Sequence, residues 1–307
     1  MTLFAPEEVV QKAKSGFQFK EAELSRLKLE SVNIDKAVFI NCYMRGAILT
    51  DISSKEANFK NTNLSFAKLT NVASDRANLE RTELNSAILA GVSLNDANAY
   101  KAKLFGAKLN NLKAAHINLS FADLRQASGK NIYLSSANLN KTFLSQTKFD
   151  EINLERATVT NAGFQVAIIN NSRWHKANLQ NTNFNKAKID NAYFNDASLV
   201  NTKFIESELN NIDFVTAELL ETNLTKAKLT NINFKDSTLL SANLEGAYLS
   251  DINFTNTNLQ DSNLENTTWH NVNFTNCNVH GAVFSNAKGL TESQKQWLKK
   301  KGALNVG

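Results

Sequence analysis

The chain of 307 residues is 42% hydrophobic and 21% charged, with 34 basic and 29 acidic side chains and a formal net charge of +5. That composition excludes a disordered chain, and a single Pro with 11 Gly is too few for a chain rich in conventional turns, so whatever bends the backbone is expected to be built into the repeat. The longest apolar runs are only a few residues, too short for a membrane span, and the opening MTLFAPEEVVQKAKSG lacks the basic and apolar regions of a secretory signal, so a cytoplasmic protein is expected.

In chain order, residues 1–16 come first. Pro6 at a first-turn position, followed by Glu7, Glu8 and VVQKAK, predicts a short helix whose early acids suit its dipole and whose Val9 and Val10 face the rest of the fold.

From 17 to 288 the chain repeats every five residues without an insertion, as in ANLER, AKLTN, TNFNK and AYLSD. Of the 54 central positions from Phe19 to Phe284, all but Ser54, Ser74, Ala99, Ala114 and Gly129 carry Leu, Phe, Ile, Val, Met or Trp. Two residues before each centre stands a small side chain at most positions, with a polar residue between the two. Offsets of two and three scatter around a helical wheel, so the repeat is not an α-helix. Nor is it a long strand, because an odd period would flip the inward face at every repeat unless the chain turned there. Each pentapeptide is therefore a very short extended segment plus a bend, with two side chains inward and three outward, and the whole is a solenoid.

A longer period sets the number of sides. Bulky residues at the usually small inward position recur every twenty residues at Val32, Ile52, Val72, Val92, Leu112, Ile132, Ile152, Ile212, Ile232, Ile252 and Val272. Ser172 and Ala192 break this ladder where the neighbouring centres are the large Trp174 and Phe194, as close packing requires. Phe194, Phe214, Phe234, Phe254 and Phe274 share the face, which predicts an aromatic stack. Twenty residues per coil means four sides. At the far end, residues 289–307, Gly289 closes the repeats and Thr291 with Gln294 predicts a capping box, ahead of a helix whose Trp297 and Leu298 cover the last coil.

These residues resemble the pentapeptide-repeat family, whose consensus is A(D/N)LXX. The resemblance covers 17–288 and implies an all-β fold, a right-handed quadrilateral β-helix of about 13 to 14 coils. At a strand spacing of about 4.8 Å that is a rod of about 65 Å. Its open ends need the two helical caps. Relatives often dimerise through the C-terminal end, which leaves monomer and homodimer both open here.

No catalytic constellation is legible. His116, His175, His270 and His280 fall on different sides or distant coils, and no phosphate loop or nucleophile elbow is present. Cys42 and Cys277 lie 235 positions apart, with neither disulfide nor zinc spacing, and both occupy the small inward position of a buried hydrophobe. No cofactor and no metal are expected, and the chain reads as a non-enzymatic protein.

The outer charge is uneven. Residues 97–148 carry a balance of +7 and residues 205–275 one of −7. In the basic stretch, the twenty-residue map puts Lys101, Lys103 and Phe105, then Phe121, Asp123 and Arg125, then Lys141 and Phe143 outward on one side of three successive coils. Such a face can bind a partner, and the plainer reading is cation–π decoration of a solvated surface. Lys28, Lys68, Lys108, Lys148, Lys188 and Lys228 form a stripe spaced by forty, read as avoidance of stacked like charge, and Asn223, Asn243 and Asn263 are read as stacked amides.

The expected function is that of a protein-binding or scaffold protein with an unidentified protein partner. The resemblance adds an alternative, DNA mimicry toward DNA gyrase by the acidic 205–275. Against it stand the basic chain, the scatter of the acids and the lack of the loops found in the quinolone-resistance branch. Direct nucleic-acid binding by the basic stretch ranks lower.

Overall fold

A computed structural model describes residues 4–307, which divide into two compact units, the first ending at Thr158 and the second spanning Val159–Gly307. Of the predicted 1–16 segment, residues 1–3 lie outside the described part. Both units are parallel β-solenoids, about 13 coils in all, with a short helix near each end of the chain.

The first unit opens with helix α1 (Pro6–Lys14), which has Pro at its first turn and Glu7 and Glu8 beside it. Val9 and Ala13 are buried, whereas Val10 is only half-buried at the edge of a groove. Strands β1 (Gln18–Lys20), β2 (Lys28–Glu30), β3 (Val38–Ile40), β4 (Ile48–Thr50), β5 (Lys68–Thr70), β6 (Ile88–Ala90), β7 (Lys108–Asn110), β8 (Leu112–Lys113), β9 (Ser128–Tyr133) and β10 (Lys148–Asn153) follow. The second unit has β11 (Ile168–Arg173), β12 (Lys188–Tyr193), β13 (Glu208–Asp213), β14 (Lys228–Asn233), β15 (Tyr248–Asn253), β16 (Thr268–Asn273) and helix α2 (Glu292–Lys300). Within each unit the partners are twenty residues apart, as in Leu69 with Leu89 and Leu229 with Leu249. One coil is therefore twenty residues and four pentapeptides.

What bends the backbone is a left-handed residue at every corner. Each fifth residue from Glu21 to Asn286 has φ between +51° and +71°. At most corners the next N–H closes a tight turn, for example Leu27 N to Leu24 O at 3.1 Å and Ala67 N to Leu64 O at 3.0 Å. A positive φ at the third turn residue is the type II arrangement, which favours Gly and Asn. Five of the seven glycines in 17–288 (Gly46, Gly91, Gly106, Gly246 and Gly281) and many asparagines stand there.

The polar residue between the two inward side chains also has a structural task. Its side-chain oxygen accepts the N–H two residues on: Asn63 Oδ1 takes Ser65 N at 2.9 Å, and Asn243 Oδ1 takes Glu245 N at 2.9 Å. The amide that a corner turns away from the ladder is thus satisfied, which accounts for Asn or Asp between the two inward positions. Inward threonines solve the matching problem for their hydroxyls. Thr62 Oγ1 donates to Phe39 O at 2.7 Å and Thr202 Oγ1 to Leu179 O at 2.8 Å, each to the coil below.

In the second unit the core is filled by parallel rings. Trp174, Phe194, Phe214, Phe234, Phe254 and Phe274 stack at 5.1–5.8 Å between centroids, and Trp297 of α2 continues the pile at 6.0 Å from Phe274. Ring pairs of this kind add about 0.5–1.5 kcal/mol each beyond burial. Leu298 is fully buried and the capping box at Thr291 and Gln294 is formed. Beyond α2 the chain returns to the last coil: Leu304 N donates to Ala282 O and Phe284 N to Leu304 O.

The first unit has a thinner core between Leu79 and Phe149. A narrow apolar cavity of about 20 Å³ runs past Ala99, Leu104, Leu119 and Leu124. Having no polar lining to hold a water, it stays dry. The small centres thus leave a void, and at Gly129 they also disturb the ladder: β7 and β9 pair only at Lys108 with Ser128. Ser54 and Ser74, two more of the small centres, are buried and bonded to each other, Oγ to Oγ at 2.7 Å.

Candidate binding face

In the first unit, one side is built from corner and near-corner positions of successive coils. Lys101, Phe121 and Lys141 occupy left-handed corners. Lys103, Asp123 and Phe143 stand above one another between inward pairs, in bridge register Lys103 with Asp123 and Asp123 with Phe143. Phe105 and Arg125 follow their centres by one residue. All seven residues expected on this face are therefore brought together, and Phe105, Phe121 and Phe143 are 38%, 38% and 55% exposed.

Their contacts divide the face into engaged and unengaged groups. Arg125 donates to Asp123 twice, Nε to Oδ1 at 2.9 Å and Nη2 to Oδ2 at 2.7 Å. Its guanidinium carbon also lies 5.9 Å from the Phe105 centroid. Partial burial pushes the Asp123 carboxyl up, but the hydrogen bonds and charge of Arg125 outweigh it and hold Asp123 below its ordinary value. Lys103 is paired with Glu83 at 2.8 Å. Because Lys103 offers its turn no acceptor, Asn85 of the coil below takes the Phe105 N–H at 3.2 Å.

Lys101 and Lys141 make no ion pair among the described residues. Instead they flank Phe121, with Nζ 5.8 and 5.4 Å from its ring centroid. Tyr100 completes the cluster edge-on to Phe121 at 5.7 Å and under Lys101 at 5.1 Å. Phe143 has no ring or cation partner among the described residues.

Tyr100, Glu83 and Asn85 were not singled out in the sequence, and neither was Arg45 over Phe66 at 4.6 Å on the same side lower in the unit. The twenty-residue map contains the signal for the last pair, since Arg45 shares its register with Phe105 and Arg125.

Other cations of 97–148 point elsewhere. Lys108 and Lys148 lie on the strand side, and Lys130 is held between Asp150 at 3.0 Å and Glu151 at 3.1 Å, which pushes its ammonium up. The forty-residue lysine stripe is an alternation within one ladder, Lys28, Ile48, Lys68, Ile88 and Lys108, so that aliphatic chains separate like charges. Asn223, Asn243 and Asn263 stand in register on successive coils, as expected of stacked residues, and each also accepts the N–H two residues on through Oδ1. Amide-to-amide bonds between coils form at other positions of this kind, as from Asn118 to Asn98 at 3.1 Å, and at corners, as from Asn231 to Asn211 at 2.7 Å.

Among the described residues no cluster of His, Cys, Asp or Glu could hold a metal ion, and His175 faces only Asp196 at 3.5 Å. Cys42 and Cys277 are buried and unpaired, and burial pushes both thiols up, Cys277 to about 12. Open grooves of about 350 and 300 Å³ lie beside α1 and α2, the first near Val10 and Val32, the second near Phe274 and Trp297. No described helix is long and apolar enough to cross a membrane.

The pentapeptide repeats model of eight copies matches residues 37–72, 75–111, 116–156 and 252–288, and the pentapeptide repeat region model matches 167–244. No curated protein matches the chain in sequence. Among solved structures, trypsin-treated QnrB1, a plasmid-mediated fluoroquinolone resistance protein, is similar at 18% identity over 64% of this chain and 88% of its own, with a TM-score of 0.48. HetL, a pentapeptide repeat protein involved in heterocyst differentiation regulation in Nostoc sp. strain PCC 7120, is similar at 19% over 92% and 97%, with a TM-score of 0.20. A thylakoid-lumen pentapeptide repeat protein of Arabidopsis thaliana is similar at 31% over 36% and 74%, with a TM-score of 0.21. On the family models and the unbroken five-residue register, the chain belongs to the pentapeptide-repeat family.

Proposed function

We propose that this protein is a non-enzymatic binding or scaffold protein that presents the face around Phe121 to a protein partner. The observation that carries the reading is the exposure of Phe105, Phe121 and Phe143 on successive coils beside Lys101 and Lys141, which make no ion pair among the described residues. Aromatic and basic side chains clustered on a fixed scaffold are the composition of interface centres. The family is in general one of non-enzymatic repeat proteins, and the convex face offers no cleft for chemistry.

The test is an affinity pull-down from a bacterial lysate at low and high salt. It compares the full chain with a Lys101→Ala, Phe105→Ala, Phe121→Ala, Arg125→Ala quadruple variant. A protein captured by the first and lost from the second supports the reading; the same proteins captured by both contradict it. Recovery of DNA gyrase by both forms would favour the weaker reading, charge mimicry of DNA by residues 205–275. In that stretch the acids fall on several sides of the coils, and Glu206, Glu208 and Asp236 already face Lys186, Lys188 and Lys235.

A further inference from the structure

The contacts of Phe121 restrict what the partner can be. An ammonium stands near its ring from the coil below and another from the coil above. Tyr100 meets the same ring edge-on. A nucleobase stacking on Phe121 would have to displace a lysine, and one stacking on Phe105 would compete with the Arg125 guanidinium. A carboxylate needs no such displacement, because it can bond to an ammonium while the ring keeps its cation.

The charges on the face point the same way. Its two carboxylates, Glu83 and Asp123, are already bonded to Lys103 and Arg125, so what remains for a partner is positive. Lys101 and Lys141 belong to coils two apart, on the order of 10 Å, which is about the length of three residues of extended chain. Beside Lys141, and outward like it, Phe143 is 55% exposed and offers an apolar contact with no internal partner among the described residues.

Resting on the reading of this face as a protein-binding surface, we infer that it recognises an extended acidic peptide segment. Carboxylates about three residues apart bond to Lys101 and Lys141, and a neighbouring apolar side chain covers Phe143. Arg125 and Lys103, held by Asp123 and Glu83, keep the platform in place and are not the main anion contacts.

The experiment is fluorescence anisotropy of a fluorescein-labelled peptide, Gly-Asp-Glu-Phe-Asp-Glu-Gly, with the full chain. A peptide with Lys at the four acidic positions and a labelled oligothymidylate are the comparisons. The acidic peptide should bind, more weakly as salt rises. Its affinity should fall about tenfold in Lys101→Ala/Lys141→Ala and about three- to tenfold in Phe143→Ser. Lys108→Ala/Lys148→Ala, which removes the same charge from another side, should leave it unchanged, and thermal melts should show all variants folded. Absence of acidic-peptide binding, equal losses in the two lysine pairs, or tighter binding of oligothymidylate would each overturn the inference. Failure here is distinguishable from failure of the broader reading: a protein captured through the face while the acidic peptide does not bind leaves the face a binding surface and removes only the peptide class.

Discussion

Trp174 Nε1 donates to Ser172 Oγ at 2.8 Å inside the core of the second unit, where both side chains are fully buried. The interruption of the aliphatic ladder at Ser172 is therefore a matter of polarity as well as volume. A buried indole N–H needs an acceptor, and an aliphatic side chain at 172 has none. Ser172→Ala should destabilise the protein by about 1–3 kcal/mol although it removes only a hydroxyl. Urea denaturation followed by Trp fluorescence checks this, and an unchanged midpoint would show that the bond contributes nothing.

Gly129 has an ordinary φ but no room for a side chain. A Cβ there would lie far inside contact distance of the Leu109 carbonyl oxygen, an atom of the backbone that cannot swing away. Gly129→Ala should cost about 1–3 kcal/mol or more, measured as a lowered denaturation midpoint, whereas Gly16→Ala, with nothing within 4 Å, should meet no clash and cost only the strain of a left-handed backbone at φ +79°, about 1–2 kcal/mol.

Inward and outward rings should respond in opposite ways. Phe234 stacks at 5.1 Å on both Phe214 and Phe254, so Phe234→Ala should cost about 3–5 kcal/mol. Phe121→Ala removes only exposed contacts and should change stability by less than about 1 kcal/mol while weakening partner binding. Thermal unfolding of the two variants side by side is the measurement; unfolding of the solenoid by Phe121→Ala would contradict the map of faces.

Val166 sits at a corner with φ of +61° and is 52% exposed, a conformation that a β-branched side chain tolerates poorly. Val166→Asn keeps the backbone bond from residue 166 to Asn185 O and places a residue suited to the left-handed region. It should stabilise by about 0.5–1 kcal/mol, read as a raised urea midpoint.

The thiol of Cys277 gives a pH dependence. Burial pushes it up to about 12 in the folded chain, whereas an unfolded cysteine titrates near about 8.5. Below that value both states hold the proton. Above it only the unfolded chain releases it, so this group lowers stability as pH rises from about 8.5 toward 12, by at most about 1.4 kcal/mol per pH unit. Urea midpoints at pH ~8 and pH ~10 should fall less in Cys277→Ala than in the wild type. Equal falls in both proteins would contradict the assignment.

The amino-acid order alone determined the solenoid, its four sides, the inward and outward sets, the aromatic pile and the two helices. These follow from local periodicity: inward positions at a fixed five-residue spacing, a twenty-residue volume pattern, and capping residues that act within one turn. The same twenty-residue map placed Lys101, Phe121 and Lys141 on one side. What it could not supply was which charges on that side are engaged. Asp123 closes on Arg125 and Glu83 on Lys103, while the two lysines around Phe121 make no ion pair among the described residues. That outcome depends on rotamers and on neighbours one coil away, which only the stacked coils fix. The same holds for Gly129, whose need for the smallest residue comes from a carbonyl twenty positions earlier, and for Leu304, whose return to the last coil follows from an open edge and not from its local sequence.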